Sequence, residues 1–569
     1  MAKGIMYVDN IRVEFDNEPT VLAVCQKAGV EMPNFCFHSD LSVYGACRMC
    51  MVEDENGKID AACTMPPKDG LRIRTNTKRL LKYRRLILEL LLSAHCRDCT
   101  TCAKNRACRL QEMAMRFGIH RVRFEDTRPE QPKDESSAAI SIDYNKCILC
   151  GDCVRICGEV QGMNILKFVG RGPTLRISTD GDVPISETKC VSCGQCSAVC
   201  TTGAITVKNQ IGKAWKALHD PQKRVVVQIA PAVRVALGEA YGLPSGENVL
   251  DKLVTSLKIM GADEVYDTIF GADLTTREEA EEFLQRMKEQ KNLPLFTSCC
   301  PAWVKYVETE RPNFAKNLST TRSPMQILAS VLKDKYKEKD AADGRTTYHI
   351  AIMPCTAKKM EAGREEFFRD GVPNVDLVLT TQEVIKMIKE SGIRFQMLEK
   401  ESPDLPYGMG SGAAEIFGST GGVAESVVRY CLPDSSKNAL RIIEHSGLRG
   451  SDPIRFATFE IGEMTVRIAV VHGLANAQKL LDQIESGEVE VDLVEVMACR
   501  TGCVGGAGQP YALMGRKLQR AAGLYEIDRS SMFKRPQRNP VINSMYAEGL
   551  GERHDLLHSH HGEEGAHEE

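Results

Sequence analysis

Glu495-Val-Met-Ala-Cys499-Arg-Thr-Gly-Cys503-Val-Gly-Gly-Ala-Gly-Gln-Pro510 is the stretch on which the reading of this chain turns. The apolar run 491–497 reads as a strand that carries Cys499 at its end. Cys503 follows four residues later, and the glycines beyond it let backbone pass close to whatever the thiols hold. A Cys-x3-Cys pair gains meaning from three other strand-like runs that end in similar residues. Residues 293–298 run into Cys299, Cys300 and Pro301, residues 348–353 into Pro354 and Cys355, and residues 225–229 into Ala230 and Pro231. Open α/β sheets bind ligands beyond the carboxyl ends of their strands. Cys300, Cys355, Cys499 and Cys503 are therefore expected to converge as the four thiolates of one iron–sulfur cluster.

Working outward, strand-like and amphipathic stretches alternate from about Pro221, with further strands expected at 375–379 and 466–471. That alternation predicts a two-lobed α/β unit with a largely parallel sheet over 220–545. Upstream, Cys147-x2-Cys150-x2-Cys153-x3-Cys157 recurs as Cys190-x2-Cys193-x2-Cys196-x3-Cys200. This is the pattern of a two-cluster 4Fe–4S ferredoxin unit (138–209), in which the fourth cysteine of each run serves the other cluster. One cubane takes Cys147, Cys150, Cys153 and Cys200, and the other takes Cys190, Cys193, Cys196 and Cys157. Gly158 and Thr201 stand where a proline usually follows the fourth cysteine. The polar stretch 125–137, with Pro129 and Pro132, reads as a linker.

Before the linker, residues 80–124 read as a small helical unit. A leucine-rich helix over 79–93 leads to His95-x3-Cys99-x2-Cys102-x5-Cys108, one histidine and three cysteines. Residues 1–79 read as a β-rich unit with a hairpin about Asp9-Asn10 and a short helix over 20–28. Cys36, Cys47, Cys50 and Cys63 follow, separated by ten, two and twelve residues, a set of four thiolates suited to a 2Fe–2S cluster. Zinc would accept either of these two ligand sets. The ligand assignments leave Cys25, Cys96, Cys299 and Cys431 over from 23 cysteines.

In 569 residues, 43% of them hydrophobic and with a net charge of −3, nothing points to nucleic acid or an anionic membrane surface. No apolar run reaches the length of a membrane span, and the first residues lack a secretory segment. A cytoplasmic location is expected, where so many cysteines read as metal ligands rather than disulfides.

Thr297-Ser-Cys-Cys-Pro-Ala-Trp303, Met353-Pro-Cys-Thr-Ala-Lys-Lys-Met-Glu361 and the 495–510 stretch resemble the three signature segments of the iron–iron (FeFe) hydrogenases, in order and spacing. The N-terminal cysteine patterns resemble those hydrogenases and the large iron–sulfur subunit of respiratory complex I. The resemblance covers nearly the whole chain and implies a multidomain α+β and α/β protein that begins with a β-grasp 2Fe–2S domain. It implies one 2Fe–2S cluster, three accessory 4Fe–4S clusters and an H-cluster, in which a 4Fe–4S cluster is bridged to a two-iron site with carbon monoxide, cyanide and dithiolate ligands. The implied reaction is 2H⁺ + 2e⁻ ⇌ H₂. The implied partners are ferredoxin or flavin- and NAD(P)-binding subunits, with maturation proteins supplying the two-iron site.

Residue by residue, the resemblance matches Lys358 to a cyanide-binding lysine. Pro231, Pro324, Met353, Met497 and Phe417 match the pocket wall. Cys299, Glu279, Ser319, Glu282 and Arg286 match a proton path. Ala232, Met325 and Ala507 depart from the family's frequent serine, glutamine and glycine. Without the resemblance, Thr276-x-x-Glu279 reads as a capping box and Glu282–Arg286 as an ordinary helical pair. Three alternatives stand beside this reading: the catalytic subunit of an NAD(P)-linked or bifurcating complex, a non-catalytic electron-transfer or cluster-assembly protein, and a sensory hydrogenase. No Gly-x-Gly-x-x-Gly fingerprint is present, so nucleotide chemistry would fall to a partner. The end of the chain (546–569), with His554, His558, His560, His561 and His567 among glutamates, reads as a solvated tail.

Overall fold

The computed structural model describes residues 3–125, 128–433 and 436–560. At the amino end, strands Lys3–Val8 and Ile11–Asp16 form the hairpin, turning on Asp9 and Asn10 at φ of 48° and 73°. Asn and Asp tolerate that left-handed region better than other side chains. Strands Arg72–Arg74, Met51–Asp54 and Ile59–Ala61 complete a five-stranded sheet. Helix Val21–Lys27 begins where the Thr20 hydroxyl accepts from Ala23 N at 3.3 Å, and it buries Cys25 in the core beside Met6, Val8 and Ile73.

Helix Lys78–Ser93 follows, capped by Thr77. The stretch read as a linker is tied down from Arg128 onward. Arg128 donates to the Cys147 carbonyl, Gln131 exchanges hydrogen bonds with Asn145, and Asp134 bridges to Ile142. Arg128, Gln131 and Asp134 thus bond to the next unit while most of the residues between them stay exposed. There the strand Ile140–Ile142 pairs antiparallel with Ile205–Val207, bringing the two cysteine runs together.

From residue 223 onward two four-stranded sheets dominate. The first orders Glu264–Asp267, Lys223–Ile229, Thr346–Met353 and Leu377–Thr380, all parallel. The second orders Leu295–Phe296, Leu493–Met497 and Met464–His472 in parallel, with Ile454–Ile461 antiparallel at the edge. Central strands such as 223–229 and 493–497 are buried along almost their whole length because both faces are covered, as parallel sheets require. The strand before Cys299 holds only Leu295 and Phe296; Thr297 N makes one more bond to Val494 O at 3.1 Å, and residues 298–300 then turn into the site.

The end of the chain departs from expectation. The described part of 546–569, residues 546–560, is no solvated tail: helix His554–Leu557 packs on the long helix Pro324–Asp343, and the helix Pro540–Ala547 before it buries Ile542 in the same apolar cluster. Leu550, Leu556 and Leu557 bury against Ile327, Leu328 and Val331. The charged composition masked these few well-placed leucines. His561 and His567 lie outside the described residues. No helix among the described residues is long and apolar enough to cross a membrane.

Candidate active site

The carboxyl ends of both sheets face one enclosed cavity of about 90 Å³. Its wall holds all four expected ligands, Cys300, Cys355, Cys499 and Cys503, together with Cys299, Lys358, Pro231, Pro324, Met353, Met497 and Phe417. Ala232 and Met325 line it as well, so two of the departures from the family's pattern fall on the cavity surface and leave it more apolar. Ala507 does not; it packs where Gly194 leaves room for it.

Each thiol arrives from a different junction. Cys300 is the residue before helix Pro301–Glu310, and Cys355 follows strand Thr346–Met353. Cys499 follows strand Leu493–Met497, and Cys503 opens a single turn after Gly502. The glycines of the 495–510 stretch serve backbone approach between segments rather than only to a ligand. A Cβ on Gly506 would lie 2.2 Å from the Pro354 carbonyl oxygen, and one on Gly502 would lie 2.6 Å from Thr420 N. Inside the same stretch, Glu495 is fully buried and accepts from the N–H groups of Gly421 and Ala424 at 2.6 and 2.9 Å. It pins the start of helix Gly422–Cys431 beside the cavity.

The electrostatics fit a polynuclear metal site. Burial pushes the Cys499 thiol well up, and the neighbouring Cys355, Cys300 and Cys503 add to it. Cys355 is pushed up to about 11 by burial and Cys300. Four mutually destabilising thiols, none in a disulfide, form a soft donor set that a cubane would relieve. Lys358 is buried at the same wall. Burial opposes its charge, but Glu361, 2.7 Å away, and the thiols hold its pKa above the usual value. The ammonium is off the line of a hydrogen bond to Glu361, which leaves donors for an anionic diatomic ligand.

Cys299 lies against Ala272, Phe417 and Met497. Its thiol is pushed well up by burial and then by Glu279. Glu279 is fully buried on helix Ile269–Glu289, and burial followed by Glu282 raises its carboxyl to about 8. Ser319 Oγ donates to Glu282 Oε2 at 2.7 Å. Arg286 pairs with Glu282 at 2.5 Å and donates to the carbonyls of Asn292, Asn317 and Leu318. Thr276 is no cap: it lies mid-helix, bonded to Ala272 O and Ser426 Oγ.

The accessory thiols of the two runs lie within electrostatic reach of one another in two sets. Burial raises Cys147, Cys150 and Cys153, and Cys200 adds to each. Burial likewise raises Cys190, Cys193 and Cys196, with Cys157 adding to each. Cys157 sits in the π-helical turn Ile156–Val160, a helix opening of the kind found at functional sites. Among the N-terminal ligands, Cys47 Sγ accepts from Phe35 N and Cys36 Sγ from Cys47 N, both at 3.4 Å, while Cys50 and Cys63 are buried neighbours. His95 is buried, with Cys99, Cys102 and Cys108 on the same small unit.

The units meet at their ligand loops. A Cβ on Gly203 would lie 2.7 Å from Cys102 Sγ, and Arg155, between Cys153 and Cys157, donates to the Cys36 carbonyl at 2.9 Å. Gln195, inside the second cysteine run, donates to Cys499 Sγ at 3.1 Å and to Gly505 O at 3.2 Å. Sequence reasoning passed over Gln195. Its signal was its place between Cys193 and Cys196. Asp40, paired with Lys517 and buried, was also missed; it locks the first unit onto the catalytic one.

Comparison with known proteins places these observations. The profile of the iron only hydrogenase large subunit, C-terminal domain, matches residues 223–507. An iron hydrogenase small subunit profile matches 515–564, the stretch that includes the packed chain end. Residues 5–78 match a 2Fe-2S iron-sulfur cluster binding domain, 84–123 the NADH-ubiquinone oxidoreductase-G iron-sulfur binding region, and 146–204 a 4Fe-4S dicluster domain. The chain is 38% identical to the NADP-reducing hydrogenase subunit HndD of Solidesulfovibrio fructosivorans, over 99% of both chains. It is 33% identical to iron hydrogenase 1 of Clostridium pasteurianum, over 97% of this chain and 98% of that one. A solved apo [FeFe]-hydrogenase HydA1 from Chlamydomonas reinhardtii superposes with a TM-score of 0.54 at 35% identity, covering 62% of this chain and 98% of that one. A multidomain chain that pairs ferredoxin-like iron–sulfur units with this four-thiol cavity belongs to the iron-only (FeFe) hydrogenase family.

Proposed function

We propose that this hydrogenase interconverts protons and H₂ in the cavity between the two sheets, as the H₂-handling subunit of an NAD(P)-linked complex. One observation carries the proposal: Cys299, a thiol outside the ligand set, shares the apolar cavity with the four ligands and has the protonated Glu279 as its neighbour. A non-catalytic assembly protein has no use for that arrangement. When bound, the H-cluster supplies the electrons and the irons at which H₂ forms or splits.

The chain's residues do the rest. Cys300, Cys355, Cys499 and Cys503 hold the cubane, and Lys358 donates to an anionic ligand of the two-iron site. Pro231, Met353, Met497 and Phe417 exclude water. Glu279 keeps its proton below about pH 8, because burial disfavours its charged form, and so gives a proton to the Cys299 sulfur as that sulfur gives one up. Ser319 and Glu282 reload Glu279. The Arg286 guanidinium is fastened to Glu282 and to carbonyls; it holds Glu282 in place rather than carrying the proton.

Five clusters complete the proposal, in domains at 1–79, 80–124, 138–209 and 220–545. The chain-end segment from 546 is part of the catalytic fold. The contacts through Cys102–Gly203 and Cys36–Arg155 make a forked path: two N-terminal units each reach the cubane of Cys147, Cys150, Cys153 and Cys200. Cys190, Cys193, Cys196 and Cys157 would hold the second cubane, and Gln195, from the same cysteine run, joins that unit to Cys499. Ferredoxin and a nucleotide-binding partner subunit would use the two branches. A cytoplasmic location suits such partners and the chain's unpaired thiols.

A chain starting at Arg128 is expected to keep H₂ evolution from reduced viologen and to lose exchange with protein donors. The cut must precede Arg128, since removing residues up to Asp143 would also strip the strand that pairs with Ile205–Val207. Loss of activity with every donor, in truncated protein that keeps its catalytic-domain iron and fold, would reject the wire.

A further inference from the structure

On its inner side the proton route ends at Cys299, fed by Glu279; on its outer side Glu282 must still exchange with water. Arg286 closes one flank of Glu282, its N–H groups taken by Glu282 itself and by the carbonyls of Asn292, Asn317 and Leu318. The other flank is open. There Thr320 N donates to Glu282 at 3.2 Å, and Thr320 Oγ1 lies 3.0 Å from His558 Nδ1. His558 Nε2 lies 3.0 Å from Glu278 Oε2, and Tyr546 OH donates to the other Glu278 oxygen. Glu278, Glu282, Thr320 and His558 all line one broad solvent cleft.

The histidine is held as a part of the site, not as a loose end. Ser559 N donates to Thr320 O at 2.7 Å, Arg322 Nε to His558 O at 2.7 Å, and Arg322 N to Leu557 O at 2.9 Å. Leu556 and Leu557 anchor the helix His554–Leu557 that leads into it. The groups facing the imidazole are Glu278, Thr320 and the His554 ring at 5.1 Å. Beyond them lie Glu282, Tyr546 and Arg277, whose guanidinium stacks 3.5 Å over Tyr546.

We propose that His558, contributed by the chain end, and Glu278 form the outer proton-loading station of the hydrogenase, passing protons between bulk water and Glu282. An imidazole accepts a proton at one ring nitrogen while releasing one from the other, and the tautomer this leaves is reset by proton exchange with the cleft solvent before the next transfer. Glu278, reached from the cleft, collects a proton and gives it to Nε2. Nδ1 releases one toward Thr320 Oγ1 and the water of the cleft, from which Glu282 takes it. Charge is conserved at each transfer, and no oxidant or reductant takes part. The proposal rests on the route through Glu282 and Glu279 set out above and extends it to the surface.

The test uses the full-length, matured enzyme with reduced viologen as donor, between pH 6 and 9. His558→Gln keeps polar contacts to Thr320 and Glu278 but cannot relay. It is expected to evolve H₂ at nearly the wild-type rate at pH 6 and about tenfold more slowly at pH 9. That loss is smaller than the 10²–10⁴-fold of a directly acting proton donor, because water partly substitutes. Glu278→Gln should follow the same profile. Added imidazole should restore His558→Ala, with infrared bands unchanged in all three. A pH profile identical to wild type, or a pH-independent loss that imidazole leaves untouched, would reduce His558 to a clamp on the 319–323 segment and overturn the proposal. Glu282→Gln separates the two levels: full activity there removes the underlying route itself.

Discussion

Replacing Cys299 by alanine is expected to lower H₂ turnover per assembled two-iron centre by about 10²–10⁴-fold, the range a positioned proton-transfer group contributes. Cluster content and infrared bands should stay the same, because the four ligands are other residues. Cys300 and Cys299 both pack on the apolar group that includes Ala272, Phe417 and Met497; Cys300, the residue before helix Pro301–Glu310, is the proposed ligand, and Cys299 is the thiol with Glu279 beside it. Cys299→Asp should retain more activity than Cys299→Ala, since a carboxyl can still relay. The pH dependence has a definite sign. Burial raises Glu279 to about 8, so the inner carboxyl is protonated below that value and empties above it. H₂ evolution by the wild type should fall as pH rises past about 8, whereas Glu279→Gln should be slow throughout. Near wild-type turnover in Cys299→Ala, measured per two-iron centre, would remove Cys299 from the mechanism.

Cys503→Ser should abolish activity, at least about 100-fold down, since even outer-shell changes at metal sites cost 10–100-fold. A serine oxygen is a hard ligand where iron–sulfur chemistry needs a soft one. Cys503 also has no slack to move, because Gly502 before it is wedged against Thr420 N and Gly506 after it against Pro354 O. Cys431→Ser is the control. Cys431 ends helix Gly422–Cys431, packs against an apolar cluster, and has its thiol pushed up to about 12 by burial alone. There the hydroxyl should cost about 1–3 kcal/mol of stability and leave turnover unchanged. Equal activity losses with equal iron content in the two variants would reject the ligand assignment.

The ligands were legible because metal chemistry fixes their type and spacing locally. Strand-to-loop junctions at Cys300, Cys355 and Cys499 could be read from apolar runs that stop at a cysteine, and the doubled Cys-x2-Cys-x2-Cys-x3-Cys pattern from its own repetition. What stayed hidden depends on contacts between distant segments. Nothing near Gln195 announces that it will meet Cys499, some three hundred positions later. The glycines of 502–508 looked like room for a ligand, and several turned out to be room for another backbone. The histidine-rich end looked solvated because composition outweighed three leucines whose partners lie on the helix Pro324–Asp343. The same error hid His558. Arg286 was found by its i,i+4 spacing from Glu282, but only the carbonyls around it show that its guanidinium holds a carboxylate in place.

Infrared spectroscopy of the anaerobically matured full-length protein tests the central claim most directly. The account predicts carbon monoxide and cyanide stretching bands from a two-iron site held beside Cys503, shifting when the protein is reduced under H₂. Protein that carries its full iron–sulfur complement after maturation yet shows no such bands would contradict it.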